Sequence, residues 1–283
     1  MKFASFEIGN SRTWGVIEGA EAIDVGSLLK DRYPDLKSAI AAGALPAARD
    51  ATGNAKRYPT ADITWLPVIP NPDKILCIGL NYETHRKETG RSEVEHPTVF
   101  GRFANSQTGH LANIIRPKLS RDLDFEGELA VIIGKPGRHI ARSDAWGHIA
   151  GYACYNEGSI RDWQRHTSQF LAGKSFAQSG SFGPWMVTPD EIPDPSKLSL
   201  ETRLNGQVVQ RTTTGLMITP IAGLISYIST IFPLEPGDVI VTGTPAGVGA
   251  KRTPPLWMKA GDFVEVEISG IGVLRNPVVA EAA

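Results

Sequence analysis

Acidic residues alternate with other residues at the start of an apolar run from Leu123 to Gly134. Asp124, Glu126 and Glu128 lie two positions apart, and side chains at that spacing project from one face of a β-strand but not of a helix. We therefore expect a strand that places two or three carboxylates side by side. Such a set repels itself unless a bound hard cation, paired lysine or arginine side chains, or water compensates the charge. An edge strand with a solvated acidic face is the alternative interpretation.

A second candidate lies in the polar segment that follows the buried strand predicted at residues 74–79. His85 and Glu88 are three residues apart, so in a helical turn the carboxylate can orient the imidazole and raise its basicity. The pair is a candidate general base, although an exposed helix face would carry the same two residues. Residues 89–97 are charged and predict either a mobile cover over a site or an ordinary surface loop.

Three further features could belong to the same site. Glu157 adds a third carboxylate where a half-apolar strand ends. Lys174 stands beside glycine and small residues in an apolar context, which indicates either burial near the acids or an ordinary surface lysine. The glycine-rich loop at residues 243–249 offers backbone N–H groups to an anion. It lacks both the ending of a phosphate-binding P-loop and the dinucleotide spacing, so we predict no nucleotide site.

The first 70 residues predict a small separate α/β unit. Short strands are expected at residues 2–6 and 13–18, and a helix at residues 36–45. An extended, proline-rich connector without regular hydrogen bonding should follow them. We therefore predict a domain boundary near residue 70 and a larger second domain at residues 71–283.

The second half of the chain predicts both strands and a helix. Two β-patterned runs flank Asn205-Gly206, which is a strong hairpin signal. Residues 216–232 are the longest helix candidate, and Pro220 with several serines and threonines argues against a membrane span there.

Charge and cysteine content exclude several classes of protein. Lys and Arg number 29 against 30 Asp and Glu, so the chain has no basic field for nucleic acid or anionic membrane. The two cysteines, Cys77 and Cys154, exclude a cysteine zinc site and argue against a disulfide framework. The first ten residues include Glu7 and no apolar block, which predicts no signal peptide. We expect a cytoplasmic protein.

Seven segments, in register over roughly residues 70 to 278, together resemble the fumarylacetoacetate hydrolase family. They read Asn-Tyr-x-x-His-x-x-Glu, Asp-Phe-Glu-Gly-Glu-Leu-Ala-Val-Ile-Ile-Gly, Ser-x-Arg-Asp-Trp-Gln, Gly-Lys-Ser-Phe, Gly-Pro-Trp, Leu-x-Pro-Gly-Asp-Val-Ile-x-Thr-Gly-Thr-Pro-x-Gly-Val-Gly and Gly-Ile-Gly-x-Leu-Arg-Asn. The resemblance implies an α+β, mainly β fold: a mixed β-sandwich roll with flanking helices. It also implies a homodimer, a Mg²⁺ or Mn²⁺ site, and small 2-oxo acid substrates with a second carbonyl.

The resemblance assigns a role to each residue that matches a functional position of the family. These residues are the metal ligands Glu126, Glu128 and Glu157, the lid dyad His85 and Glu88, the active-site lysine Lys174 and the substrate-contacting Thr244. An all-carboxylate set suits a hard cation, which a 2-oxo acid can chelate. His85, oriented by Glu88, would deprotonate a water that attacks the distal carbonyl, while Lys174 would stabilise the oxyanion.

The chain departs from the family pattern near the expected substrate. Glu157 is one methylene longer than the usual aspartate, and Ala177-Gln178 stands where many members have Asp-Thr. Arg102 lies in a segment that commonly contains lysine, and it could bind a substrate carboxylate in a bidentate fork. We expect Arg102, Gln178 and Thr244 to bind the substrate.

These features support three hypotheses about function. The first is a metal-dependent hydrolase that cleaves a C–C bond in an acylpyruvate-type 2,4-dioxo acid, such as fumarylpyruvate, during aromatic-compound breakdown. The second is a decarboxylase or enol–keto tautomerase of a related acid, which needs the metal as an electron sink but no hydrolytic water. Hydrolysis should depend on His85, whereas decarboxylation could tolerate its loss. The third, a binding protein without catalysis, conflicts with the retention of every candidate catalytic side chain.

Overall fold

The computed structural model describes residues 1–93 and 95–282 of the chain. The predicted cover at residues 89–97 includes residue 94, which lies outside the described residues, so the cover stays a prediction.

The strands are β1 (Lys2–Ile8), β2 (Ser11–Glu18), β3 (Glu21–Asp24), β4 (Lys56–Pro59), β5 (Thr64–Trp65), β6 (Ile75–Gly79), β7 (Thr98–Arg102), β8 (Gln107–Thr108), β9 (Ile114–Arg116), β10 (Leu123–Asp124), β11 (Gly127–Ile133), β12 (Ile149–Asn156), β13 (Ser159–Ile160), β14 (Gly180–Val187), β15 (Ser199–Leu204), β16 (Gln207–Thr213), β17 (Val239–Val241), β18 (Phe263–Ile268) and β19 (Gly272–Ala280).

The helices are short, apart from the last. They are α1 (Val25–Leu29), α2 (Leu36–Ala41), α3 (Leu45–Asp50), α4 (Glu83–Thr89), α5 (Arg161–Gln164), α6 (Leu171–Lys174) and α7 (Ile221–Ile231). Single 3₁₀ turns lie at Ala51–Asn54, Ala104–Ser106, Ala145–His148, Pro189–Glu191, Pro195–Lys197, Thr214–Leu216 and Gly249–Lys251. Within the described residues no helix is long and apolar enough to cross a membrane.

Two mixed sheets form a sandwich. Within the described residues the larger sheet has 12 strands in the order β4-β3-β2-β1-β14-β12-β11-β17-β6-β7, with β5 added to β1 and β8 to β14. The smaller sheet, of five strands in the same part of the chain, has the order β16-β15-β18-β19-β9. β12 contacts β18 and β14 contacts β19, so the sheets pack face to face. The predicted α+β, mainly β architecture is confirmed.

Strand β11 lies in the centre of the larger sheet, and all of its residues are buried. Leu129 and Val131 belong to the apolar cluster between the two sheets. Ala130 and Ile132 belong to the cluster on the opposite face. Burial on both faces explains why this strand is a continuous apolar run, and each large side chain contributes roughly 1.5–3 kcal/mol of transfer free energy.

The N-terminal segment continues the larger sheet. β1 pairs antiparallel with β14, with Lys2 opposite Val187. Phe3 and Trp14 share an apolar cluster with Phe182, so the two parts of the chain pack together. The strands predicted at the N-terminus are present as β1 and β2, whereas a boundary between two domains near residue 70 stays a prediction.

Three of the predicted segments differ in the structure. The helix expected at residues 36–45 ends at Ala41, because Gly43 adopts a left-handed φ of 62°, and α3 begins only at Leu45. The connector expected to lack regular hydrogen bonding contains β5, which pairs with β1. The helix expected at residues 216–232 begins only at Ile221, because Pro220 at its N-cap is extended, with ψ at 159°.

The predicted hairpin is confirmed. β15 and β16 pair antiparallel on either side of Asn205 and Gly206. Both turn residues have positive φ, 52° and 79°, which asparagine and glycine tolerate better than other residues do.

Candidate active site

The acidic segment is not one continuous strand, so of the two or three carboxylates expected side by side only Glu126 and Glu128 lie together, and Asp124 lies apart. β10 ends at Asp124 and pairs with β13, whereas β11 begins at Gly127 and pairs with β12. Asp124 turns away from the other acids and accepts hydrogen bonds from the backbone N–H groups of Gly249 (2.7 Å) and Ala250 (3.0 Å). It also accepts one from Nε of Arg161 at 2.8 Å. Asp124 therefore anchors neighbouring segments.

The interruption between β10 and β11 brings a different set of carboxylates together. Glu126, Glu128 and Glu157 each offer an oxygen atom, and these atoms lie within 4.8 Å of one another. The residues are 3%, 1% and 1% exposed. The N–H of Glu157 donates to the carbonyl of Glu126 at 2.8 Å, which ties the end of β12 to the residue between β10 and β11. Oε1 of Glu157 has no hydrogen-bond partner among the described residues.

Two buried cations contact this carboxylate cluster. Nζ of Lys174 lies 2.5 Å from Oε2 of Glu126 and 2.7 Å from Oε2 of Glu157. Nη2 of Arg161 lies 2.6 Å from Oε1 of Glu126. Lys174 is only 2% exposed, so of the two sequence interpretations the buried one applies.

Burial and mutual repulsion determine the protonation of the cluster. Burial raises the pKa of Glu128 far above its ordinary value, and the charges of Glu157 and Glu126 add to the effect. Burial also raises the pKa of Glu157, and Lys174 only partly opposes this. Burial would raise the pKa of Glu126 too, but Arg161 and Lys174 outweigh it and lower that pKa. Without further positive charge, burial and repulsion therefore favour the protonated form of Glu128.

A divalent hard cation fits this donor set. All the donors are carboxylate oxygens, which Mg²⁺ and Mn²⁺ prefer, and the unpartnered oxygen of Glu157 faces a cluster that repels itself. Glu126, Glu128 and Glu157 would hold the ion.

His85 lies on α4 and is 6% exposed. Its Nδ1 is 3.3 Å from Oε2 of Glu88, whose Oε1 accepts the N–H of Gly247 at 2.9 Å. Burial would raise the pKa of Glu88, but the bonds from His85 and Gly247 outweigh it and lower that pKa. An ionised Glu88 favours the proton on Nδ1, which leaves Nε2 of His85 as a proton acceptor.

The glycine-rich loop after β17 binds anions, as predicted, but these anions are the protein's own carboxylates. The N–H of Gly243 donates to Oε2 of Glu128 at 2.5 Å, and Gly247 and Gly249 donate to Glu88 and Asp124. The sequence did not predict these three contacts. The glycines that follow the strand indicated only that backbone N–H groups would be available to an anion. The loop therefore positions the carboxylate cluster and the histidine dyad together.

One cavity of about 610 Å³ contains most of the candidate residues. The wall beside them is apolar and is formed by Ile78, Phe100 and Phe170. Its volume lies within the range of roughly 300–1,000 Å³ that small-molecule sites occupy. The predicted site residues that line it are His85, Glu126, Glu128, Glu157, Lys174 and Thr244.

The fumarylacetoacetate (FAA) hydrolase C-terminal family matches residues 74–279, which include every one of these side chains. The chain belongs to this family. A mitochondrial oxaloacetate tautomerase of Homo sapiens is 42% identical over 223 residues, which cover 78% of this chain and 71% of the relative.

Solved structures of the fumarylacetoacetate hydrolase family are similar over the whole chain. A fumarylacetoacetate hydrolase from psychrophilic Exiguobacterium antarcticum is 35% identical with a TM-score of 0.87, covering 99% of this chain and 100% of that one. A maleylpyruvate hydrolase from Sphingobium sp. SYK-6, in complex with manganese(II) and pyruvate, is 28% identical with a TM-score of 0.84, covering 100% of both.

Two residues expected to bind substrate lie elsewhere in this family member. Arg102 is 4% exposed, and its guanidinium donates to the carbonyl of Gly158 (2.9 Å) and to Oγ of Ser179 (3.0 Å). Gln178 is exposed at a turn with φ of 51°. Neither is among the described residues that line the cavity. The guanidinium of Arg102 is occupied by Gly158 and Ser179 instead. We leave both out of the proposed substrate site.

Thr244 lines the cavity, but its hydroxyl is already engaged. Oγ1 donates to the carbonyl of Gly127 at 3.0 Å and accepts from Nε2 of Gln210 at 2.8 Å. Arg161, which contacts both Asp124 and Glu126, is a cavity residue of the family segment Ser-x-Arg-Asp-Trp-Gln to which sequence reasoning gave no role.

Proposed function

We propose that the protein is a divalent-metal-dependent enzyme that interconverts the enol and keto forms of a small 2-oxo acid. The observation that carries the proposal is the position of His85: its imidazole lies in the same cavity as Glu126, Glu128 and Glu157 and is held by Glu88. The 42% identity with an oxaloacetate tautomerase supports enol–keto chemistry over bond cleavage.

The chain's own residues account for the proton transfer. Nε2 of His85 removes a proton from the carbon next to the 2-oxo group, and the proton returned to the enolate oxygen gives the enol, so that no atoms are gained or lost. Glu88 stabilises the imidazolium that forms meanwhile. A divalent cation at the carboxylate cluster would supply positive charge that stabilises an enolate. Lys174 holds Glu126 and Glu157 in place and adds a positive charge beside them.

C–C bond hydrolysis of an acylpyruvate-type 2,4-dioxo acid is the second candidate. The cavity of about 610 Å³ is larger than oxaloacetate requires and has an apolar wall, which suits a longer acid. The similarity to a maleylpyruvate hydrolase solved with manganese(II) and pyruvate favours the same alternative. In this reaction His85 would activate a water instead of a carbon acid.

The two candidates are distinguished by their products. The purified protein is incubated with Mn²⁺ and either oxaloacetate or fumarylpyruvate, enol absorbance is followed, and products are identified by NMR. A tautomerase changes the enol absorbance and leaves the carbon skeleton intact, whereas a hydrolase releases pyruvate and a second acid. Release of pyruvate from fumarylpyruvate without any acceleration of oxaloacetate tautomerisation would overturn the first proposal in favour of the second.

His85→Ala tests the base in either reaction. We expect a rate loss of roughly 10²–10⁴-fold, the usual contribution of a general base. His139→Asn is the matched control, since His139 is exposed, lies outside the described lining residues and has a φ of 52° that asparagine tolerates. A parent rate in His85→Ala would show that another group takes the proton.

The homodimer and the cytoplasmic location stay predictions. The aromatic-compound pathway also stays a prediction, because a tautomerase of a central 2-oxo acid would not need to belong to it.

A further inference from the structure

The backbone of Gly127 lies between two of the three candidate metal ligands. Glu126 precedes it and Glu128 follows it, so the orientation of Gly127 sets the directions from which both carboxylates enter the cluster. β17, the neighbour of β11 on one side, ends at Val241, opposite Ala130. Gly127 therefore lies beyond the end of that strand, and its backbone groups on this side need other partners.

Gln210 supplies one of these partners from the smaller sheet. It lies on β16, is 2% exposed, and its Oε1 accepts the N–H of Gly127 at 2.9 Å. Its Nε2 donates to Oγ1 of Thr244 at 2.8 Å and to the carbonyl of Pro245 at 3.0 Å. Oγ1 of Thr244 donates in turn to the carbonyl of Gly127 at 3.0 Å. The side chains of Gln210 and Thr244 therefore close a ring of hydrogen bonds around the backbone of Gly127.

A β-bulge explains why β16 directs Gln210 inward. Gln210 is opposite Thr202, and Val208 is opposite Arg203. Val209 is therefore an extra residue of β16. Consecutive side chains of a regular strand face opposite sides, but Val209 and Gln210 are both buried. A bulge permits this arrangement, because its two adjacent residues oppose a single residue of the partner strand.

Close packing holds Gly127 against the same part of the smaller sheet. A Cβ added to Gly127 would lie 2.0 Å from Oγ1 of Thr202, the residue opposite Gln210. A side chain at this position would push the strand away, so the close approach requires glycine. Gly127 therefore contacts both members of the pair formed by Thr202 and Gln210.

Arg252 stabilises the bulge independently of Gln210. Its Nη2 donates to the carbonyl of Val209 at 2.6 Å, and its Nε donates to the carbonyl of Gly247 at 3.1 Å. These two bonds attach the bulge to the glycine-rich loop. We therefore expect β16 to keep its path when the side chain of Gln210 is replaced by one of similar length.

We infer that Gln210 is a positioning residue for the metal site: it orients the backbone of Gly127 and thereby the carboxylates of Glu126 and Glu128. The inference rests on the proposed function, because it requires that the carboxylate cluster holds a divalent cation. Gln210 lies outside the described residues that line the cavity, so it acts through the backbone and not by contact with a ligand. Partners that orient metal ligands commonly change metal affinity by roughly 10–100-fold.

Calorimetric titration of Mn²⁺ into the full-length protein tests the inference without turnover. Gln210→Met keeps a side chain of similar length but removes both the acceptor for Gly127 and the donor to Thr244. We expect Mn²⁺ to bind this variant roughly tenfold more weakly. Gln207→Met is the matched control, since Gln207 lies on the same strand and is exposed, and it should bind Mn²⁺ as the parent does. Equal affinity in Gln210→Met and the parent overturns the inference.

A loss of stability is separated from a loss of orientation by a second control. Ile225→Val shortens a buried side chain of α7 that lies outside the described lining of the cavity, and it lowers stability without altering the ring of hydrogen bonds. Circular dichroism verifies that each variant is folded at the temperature of the titration. A loss of Mn²⁺ affinity in Ile225→Val as large as that in Gln210→Met would contradict the inference.

Thr244→Val opens the ring at its other end and keeps the shape of the side chain. It should weaken Mn²⁺ binding in the parent protein. Because Gln210 and Thr244 act on one backbone segment, the same change should have little further effect in Gln210→Met. If Thr244→Val binds Mn²⁺ as the parent does, or if the two losses multiply in the double variant, the ring does not orient the ligands.

Failure of the proposed function would appear in the parent protein. If the parent binds no Mn²⁺ and accelerates the reaction of neither oxaloacetate nor fumarylpyruvate, the metal-dependent function is wrong and the inference falls with it. If the parent binds Mn²⁺ and Gln210→Met binds it equally tightly, the proposed function stands and only the role of Gln210 is wrong.

Discussion

The backbone N–H of Gly247 donates to Oε1 of Glu88 at 2.9 Å, across 159 residues of sequence. Because Oε2 of the same carboxylate contacts His85, the orientation of the imidazole depends on the backbone of the glycine-rich loop. The same loop donates through Gly243 to Glu128. A displacement of the loop would therefore disturb the proposed base and the proposed metal site together.

Gly247→Ala should test this dependence. Gly247 has a φ of 107°, and an added Cβ would lie 2.2 Å from the carbonyl oxygen of Val209, so the loop must move. We expect activity to fall by roughly a hundredfold, the usual effect of misplacing catalytic groups by about 1 Å. Gly53→Ala is the control, because its Cβ meets nothing within 4 Å. Parent activity in Gly247→Ala would mean that His85 does not depend on the loop.

Glu157 should contribute directly to metal binding. Glu157→Gln removes one charge from an all-carboxylate set, and we expect Mn²⁺ affinity to fall by at least roughly tenfold, since even outer partners of metal ligands affect affinity this much. Glu157→Asp keeps the charge and should retain binding. Calorimetric titration of Mn²⁺ compares both with Asp31→Asn, a change at an exposed acid. Equal affinity in all four proteins would exclude Glu157 from the site.

Arg102 should matter for stability rather than for substrate affinity. Arg102→Met leaves the carbonyl of Gly158 and the hydroxyl of Ser179 without their buried donors, which should lower the free energy of unfolding by about 2–4 kcal/mol. Urea denaturation measures this change, with the exposed Arg138→Met as control. An unchanged stability together with a large rise in KM would instead restore Arg102 as a substrate ligand.

His110 should make the fold sensitive to mild acid. Burial, with a smaller effect from the charge of Arg275, lowers the pKa of His110 to about 4, and its Nδ1 accepts the N–H of Arg275 at 3.1 Å. An unfolded histidine titrates near pH 6.5, so between about pH 6.5 and 4 the unfolded chain binds a proton that the native protein does not. The free energy of unfolding should therefore decrease by roughly 3 kcal/mol as the pH falls through this window.

Urea denaturation at pH 7 and pH 4.5 measures this loss, and His110→Asn should remove most of it. Asparagine keeps a side-chain acceptor but does not titrate. If the parent protein and His110→Asn lose the same stability between the two pH values, other groups cause the acid sensitivity.

The residues to which we assign chemical roles could be proposed from the sequence, because their types and order suffice to recognise the family. Glu126, Glu128 and His85 stand in segments that resemble one family, and the structure brings them into one cavity. The sequence also predicted a strand here, and the continuous apolar run of β11 is explained by the burial of both of its faces.

The direction of individual side chains was not predictable, because it depends on partners far along the chain. Asp124 leaves the acidic row for Arg161, 37 residues away, and for the N–H groups of Gly249 and Ala250. Arg102 turns inward to Gly158, 56 residues away. Local spacing contains no information about either contact.

The pairing of β1 with β14 affects how the chain reaches its native state. Lys2 is opposite Val187, so β1 is synthesised long before the strand with which it pairs. β1, β2 and β3 pair locally and can form early as a meander in which β1 is an edge strand without its partner β14. Such delayed, long-range pairing slows folding and leaves edges open to aggregation. We expect nascent chains that end before Val187 to require protection from self-association.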